Sequence, residues 1–153
     1  MTKLLFSRTL SALAIAPLTL LALSLSAVVA TAQVQLYKPI PLSVGNPVKD
    51  TLSDKDIPTG KKGFAKDYTV RLAAGEKVTI NASSDNFDTF VSLIAADGSV
   101  VEENDDGPDG STNSVIVVKI TRTEDYIIRV RASGGSKTLG SFTLKVTRQP
   151  SGR

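Results

Sequence analysis

Between Asp88 and Asp109 the chain gathers the residue types that bind hard cations. Asp88 opens an apolar-alternating stretch, and Asn104, Asp105, Asp106 and Asp109 follow it; Glu102 and Glu103 raise the acidic residues to five within eight positions. So much like charge must be dispersed, hydrated or neutralised, and calcium, which takes about six to eight oxygen ligands, is the natural counter-ion outside a cell. Asp97-Gly98 is a tight-turn signal, because a two-residue hairpin needs positive φ values that Asp and Gly tolerate. If that turn pairs residues 91–96 with 99–104, the antiparallel register carries Asp88 back towards residues 105–109. The expected site is a structural Ca2+ held by Asp88, Asn104, Asp105, Asp106 and Asp109. An EF-hand is excluded: from Asn104 the chain reads N-D-D-G-P-D-G, and the twelfth position is Val115 where Glu is required. The alternative is a solvated acidic loop whose Asp and Asn side chains cap their own turns.

Catalytic residues are not expected. With no His and no Cys, Ser-His-Asp and Cys-His arrangements are impossible. Asp50-Thr51-Leu52 and Asp88-Thr89-Phe90 lack the glycine of the Asp-Thr-Gly turn. Glu102 and Glu103 are strand neighbours, so they point to opposite faces and cannot flank one glycosidic bond. A Ser-Lys dyad would leave no signature. Lys55, Lys61, Lys62 and Lys66 form a basic stretch that could touch acidic glycans but reads first as a solubilising rim. The sequon at Asn81-Ala82-Ser83 carries no weight at a strand end in a chain with a bacterial-looking leader.

The elements that must position these residues follow a leader. Lys3 and Arg8, the apolar run from Leu10 to Val29 and the small residues Ala30-Thr31-Ala32 read as a signal peptide over residues 1–32. No cysteine follows the run, so lipid attachment through an N-terminal cysteine is not expected. Removing residues 1–32 leaves 121, enough for one domain. Lys3 and Arg8 leave with the leader, so 16 basic and 15 acidic residues give the remainder a charge of +1. Nothing there demands nucleic acid or an anionic membrane. Without disulfides, stability must come from the core, from hydrogen bonds and from any bound metal.

Pro39, Pro41 and Pro47 make residues 33–47 read as an extended linker. Residues 48–148 then read as one domain, with Val48–Ser53 an edge strand and 54–63 a loop. Tyr68, Val70 and Leu72, then Val78 and Ile80, alternate with polar residues at period two. Thr89–Ala95 is nearly all apolar, as a central strand would be, with Val91 and Leu93 inward. Residues 99–103, 115–120, 126–130 and 142–146 supply the remaining strands, and 149–153 a tail. About eight short strands and no helical periodicity predict an all-β, antiparallel β-sandwich of jelly-roll type. No internal repeat stands out.

The order Phe87-Asp88-Thr89-Phe90-Val91-Ser92-Leu93, Asp97-Gly98, Asn104-Asp105-Asp106, Ser114, Asp125-Tyr126-Ile127-Ile128-Arg129-Val130 and Gly140-Ser141-Phe142-Thr143-Leu144-Lys145-Val146 resembles the bacterial pre-peptidase C-terminal domain family. The resemblance spans roughly residues 44–148. Phe90 stands where the family usually has Tyr, and Glu124-Asp125 where it has a Gly before Tyr126. The resemblance implies a jelly-roll-like sandwich of the kind attached to secreted proteases. Here no peptidase precedes it, so a free-standing exported version is expected. Related collagenase modules bind calcium and a fibre through exposed aromatics; three Tyr, five Phe and no Trp offer little for fibre binding.

The expected function is a non-catalytic exported binding or accessory module, periplasmic or extracellular, with a structural calcium site. The alternative is a metal-free interaction module for a separately encoded secreted protease or envelope polymer. The expected partner is an extracellular or periplasmic protein or polysaccharide, with no nucleic acid and no membrane span in the mature form.

Overall fold

Side chains alternate faces along a strand, so period-two patterning buries one row and leaves the other to solvent; the chain obeys this almost throughout. The computed structural model describes residues 37–60, 62–108, 110–135 and 137–149. The predicted signal peptide, all but Gln149 of the predicted tail, and the predicted ligand Asp109 lie outside them. Ten strands are described: β1 Ile40–Pro41, β2 Val48–Leu52, β3 Ile57–Pro58, β4 Phe64–Leu72, β5 Lys77–Ser83, β6 Thr89–Ile94, β7 Val100–Asn104, β8 Ser114–Lys119, β9 Glu124–Ala132 and β10 Gly140–Arg148. They form a six-stranded sheet ordered β1-β4-β9-β6-β7, with β3 also on β4, and a four-stranded sheet ordered β2-β10-β5-β8. The all-β sandwich expectation holds, with two two-residue strands beyond the eight or so foreseen. β6 is interior to its sheet, and Val91 and Leu93 are fully buried.

The core lies between the sheets. Tyr68, Val70, Leu72, Leu93, Ile128 and Val130 from the larger sheet meet Ile80, Ile116, Phe142, Leu144 and Val146 from the smaller. Burying each such aliphatic side chain contributes about 1.5–3 kcal/mol. Phe142 receives Tyr68 and Phe87 edge-on, with centroids 6.3 and 6.2 Å away. At one edge the gap between the sheets is closed by charge. Lys66 Nζ donates to Asp50 Oδ1 (2.9 Å) and the Thr51 carbonyl (2.6 Å) and pairs with Asp56 at 3.4 Å, while the Tyr68 hydroxyl donates to Asp50 Oδ2 at 2.8 Å. Burial alone would raise the Asp50 carboxyl, but hydrogen bonds from Lys66, the Thr51 N–H and Tyr68 bring it below its ordinary value.

Three expectations are corrected. Residues 39–47 are not a bare linker: Ile40 and Pro41 pair in parallel with Tyr68 and Thr69, Leu42 N–H donates to the Thr69 carbonyl at 2.9 Å, and Leu42 is buried. Proline fits there because an edge strand needs donors on only one side. The Asp97-Gly98 turn is one residue wider than foreseen. Gly98 N–H donates to the Ala95 carbonyl and Ala95 N–H to the Ser99 carbonyl, both at 2.9 Å, and Gly98 alone takes positive φ (+84°), as in a type I turn closed by a bulge. The register accordingly slips between Leu93 and Ile94. Lys66 is no part of a basic loop; it stands in β4 and is largely buried by its partners.

Candidate functional site

Both connections that carry the predicted ligands cross between the sheets. Residues 84–88 lead from β5 to β6 and residues 105–113 from β7 to β8. The crossing is fastened by buried hydroxyls. Thr89 Oγ1 lies 2.7 Å from Ser114 Oγ and 3.1 Å from the Ala82 carbonyl, while Thr89 N–H donates to the Thr112 carbonyl at 3.0 Å. Thr89 and Ser114 are fully buried, so their mutual bond satisfies groups that would otherwise cost stability. No role was assigned to this pair from the sequence; two hydroxyl residues at strand starts carry no periodic signal.

The structure brings Asp88 and Asp105 to one residue. Ser133, just past β9, donates its N–H to the Asp88 carbonyl (2.8 Å) and its hydroxyl to Asp105 Oδ2 (2.9 Å). The pairing of Val91 with Asn104 sets this up from the hairpin side. Asp88 Oδ1 is buried and has no hydrogen-bond partner among the described residues. Burial first, then the charges of Asp105 and Asp106, push the Asp88 carboxyl above its ordinary value.

Asn104 is committed within the protein. Its Nδ2 donates to the Val115 carbonyl at 2.9 Å and its Oδ1 accepts the Asp106 N–H at 2.8 Å, which is the turn-capping role open to Asn. Among the described residues no three carboxylates gather into a cluster that could hold a metal ion. The structure thus ties Asp88 and Asp105 together through Ser133 and sets Asp106 on the turn capped by Asn104, without assembling a three-carboxylate group.

Beside these residues, Arg131 stands over Phe90, its Cζ 3.5 Å from the ring centroid, and donates to the Ala132 carbonyl. Burial lowers the Arg131 guanidinium, against the raising influence of Glu103 and Asp105. Arg129 forms a two-bonded fork with the buried Asp67, both contacts 2.7 Å. Between the loop at 57–63 and these arginines runs a groove of about 590 Å³. A second, more open hollow of about 650 Å³ lies against the smaller sheet. Among the described residues no helix is long and apolar enough to cross a membrane.

This is the geometry of a two-sheet β module. Residues 65–132 match the family described as the bacterial pre-peptidase C-terminal domain, so the resemblance seen in the sequence holds. Among solved structures, the chain is similar to the pre-peptidase C-terminal domain of a collagenase from Bacillus anthracis, with TM-score 0.55 and 11% identity over 71% of this chain and 94% of that one. It is also similar to Aeromonas hydrophila PliG, a periplasmic lysozyme inhibitor of g-type lysozyme, with TM-score 0.50 and 13% identity over 71% of this chain and 95% of that one. At such identities these likenesses speak for the fold. No curated protein matches the chain.

Proposed function

We propose that the protein is an exported, non-catalytic binding module of the pre-peptidase C-terminal type whose acidic rim holds a structural calcium ion. The observation that carries the calcium reading is the buried Asp88 Oδ1, which has no hydrogen-bond partner among the described residues and feels the charges of Asp105 and Asp106. A buried carboxylate oxygen without a donor is costly unless a cation or a proton answers it. Asp88, Asp105 and Asp106 supply the carboxylates in this reading, Asn104 shapes the turn, and Asp109 follows in the same loop. Extracellular calcium modules bind at about 10⁻⁴ to 10⁻³ M, so the ion stiffens the sheet crossing without creating the fold. Calorimetric titration with calcium tests it. Heat and a raised melting temperature are expected at millimolar calcium, both lost in Asp105→Ala and Asp106→Ala; no heat and no shift in the unsubstituted protein removes the ion from the proposal.

The second reading is a metal-free module for a separately encoded secreted protease or an envelope polymer. It is favoured by the absence of a three-carboxylate cluster among the described residues and by the internal engagement of Asn104 and Asp105. A partner captured from the exported fraction and retained in chelator supports it.

A further inference from the structure

The smaller sheet presents an outer face with a charge pattern that no stretch of sequence reveals. Along β2, β10, β5 and β8 the outward residues are the partners of one another in register. Lys49 stands beside Thr143 and Thr143 beside Ser83; Lys145 stands beside Asn81 and Asn81 beside Val115; Lys77 stands beside Lys119. Lys49, Lys145, Lys77 and Lys119 are all exposed, and none forms an ion pair among the described residues. No carboxylate stands on this face among those residues. Asp50 turns to the opposite side of β2, towards Tyr68 and Lys66. Asp85, from the loop after β5, lies off the strands and lines the hollow at the upper end of the face.

The lysines descend as a diagonal, one on each strand. With about 3.4 Å per residue and 4.8 Å per strand, Lys49 and Lys119 stand roughly 25 Å apart across the sheet. The lower end sets Lys77 directly opposite Lys119, a like-charge cross-strand pair that costs stability and that no acidic neighbour on the face relieves. The upper end opens into the hollow of about 650 Å³, whose lining includes the polar side chains of Lys49, Thr51, Ser83, Asn86, Asn113 and Thr143 and also the carboxylates Asp50, already held by Lys66 and Tyr68, and Asp85, a volume within the usual range for ligand sites. The hydroxyls of Thr51, Ser83 and Thr143 make no hydrogen bond among the described residues, and Asn86 and Asn113 use only their Oδ1 atoms, accepting from the N–H groups of Ser141 and Ser84. Their Nδ2 groups stay available as donors.

We propose that this face binds an extended acidic polysaccharide: one sugar unit hydrogen-bonded in the hollow with its carboxylate towards Lys49, and the chain running down the diagonal past Lys145 to Lys77 and Lys119. Charge complementarity selects a polyanion. Rows of hydroxyl and amide groups between the lysines, with only Val115 and Val117 as apolar outward residues, select a glycan over a lipid surface, which would reward aromatic or long apolar side chains. The inference rests on the reading of the chain as a binding module and needs no calcium, although Asn86 and Asn113 stand on the same two connections as the acidic rim.

The test is binding of the protein to polygalacturonate, with dextran as the neutral polymer and phosphatidylglycerol vesicles as the lipid surface. Binding to polygalacturonate alone is expected, weakening as salt shortens the reach of the lysine field. Lys77→Glu with Lys145→Glu lowers the affinity roughly tenfold or more, whereas Lys62→Glu, in the groove of the larger sheet, leaves it unchanged. Thr143→Ala with Ser83→Ala weakens polygalacturonate binding with every lysine kept, a loss that bare charge attraction does not explain. The lysines are exposed and Ser83 and Thr143 half-buried on the outer face, so these changes leave the core intact, and Lys77→Glu relieves the pair with Lys119. No binding at low salt, an equal loss from Lys62→Glu, no loss from the hydroxyl changes, or equal binding to the vesicles overturns the proposal. A protein that melts higher in calcium but ignores polygalacturonate overturns the glycan face and leaves the module reading standing.

Discussion

Asp88→Asn should change stability in opposite directions with and without calcium. In chelator the native carboxylate keeps, near Asp105 and Asp106, a buried oxygen with no donor among the described residues. An unsatisfied buried group costs about 1–3 kcal/mol. Asp88 remains partly exposed, so removing its charge is expected to return about 1 kcal/mol. An unfolding entropy of about 2.1 cal/mol/K per residue, taken over the unit Pro39–Arg153, converts this to a rise of about 4 °C in melting temperature. In calcium at ten times the dissociation constant the native protein gains about 1.4 kcal/mol, or about 6 °C, and the variant less than about 1 °C. The curves therefore change order when calcium is added. The pH dependence has a definite sign. Because the folded Asp88 pKa lies above 3.8, the folded state binds this proton more tightly than the unfolded state. Its favourable contribution is complete below 3.8 and is lost as pH rises through the raised value. Scanning calorimetry at pH 7 with 10 mM calcium or with chelator reads all four cases. A variant that melts below the native protein in chelator, or a native protein indifferent to calcium, refutes the reasoning.

Two further outcomes can be read by urea denaturation. Thr89→Val should cost about 1–3 kcal/mol by stranding Ser114 Oγ, while the double change with Ser114→Ala should restore most of it, since removing both partners of a buried hydrogen bond is far cheaper than removing one; an additive double mutant sinks this account. Tyr68→Phe should cost about 1 kcal/mol and Asp50→Ala more, because the latter strands the Tyr68 hydroxyl and leaves Lys66 with only Asp56 and the Thr51 carbonyl. As the folded Asp50 pKa is lowered, its stabilising contribution is present above 3.8 and fades as pH falls through the folded value, opposite to Asp88.

Sandwich architecture was legible because Tyr68, Val70, Leu72, Ile128 and Val130 alternate cleanly, and alternation needs only one apolar face to be buried. The approach of Asp88 to Asp105 was legible for a related reason: one hairpin register relates them. Ser133, which joins the two by hydrogen bonds, was not, since it arrives from β9. The segment from Pro39 to Pro47 misled because proline speaks against ladders in general, whereas an edge position and the packing of Leu42 are tertiary facts. The commitment of Asn104 to its own turn is not decided by residue type, since it depends on its two partners, the Val115 carbonyl and the Asp106 N–H. The lysine diagonal was invisible in the sequence. Lys49, Lys77, Lys119 and Lys145 never share a window, and only the ladder of β2, β10, β5 and β8 lines them up.

β10 lies between β2 and β5, so a strand late in the chain occupies the middle of its sheet. Until residues 140–148 have left the ribosome, β2 has no neighbour in that sheet and Phe142 is missing from beneath Tyr68. A nascent chain halted before Gly140 can hold the β5–β8 pair but cannot close the barrier between core and water. With β2 and β10 some ninety residues apart, closure waits on a long loop, the arrangement that makes folding slow. Assembly is thereby deferred until nearly the whole domain has been synthesised, which keeps the polypeptide threadable for longer than an architecture that completes its sheets in order.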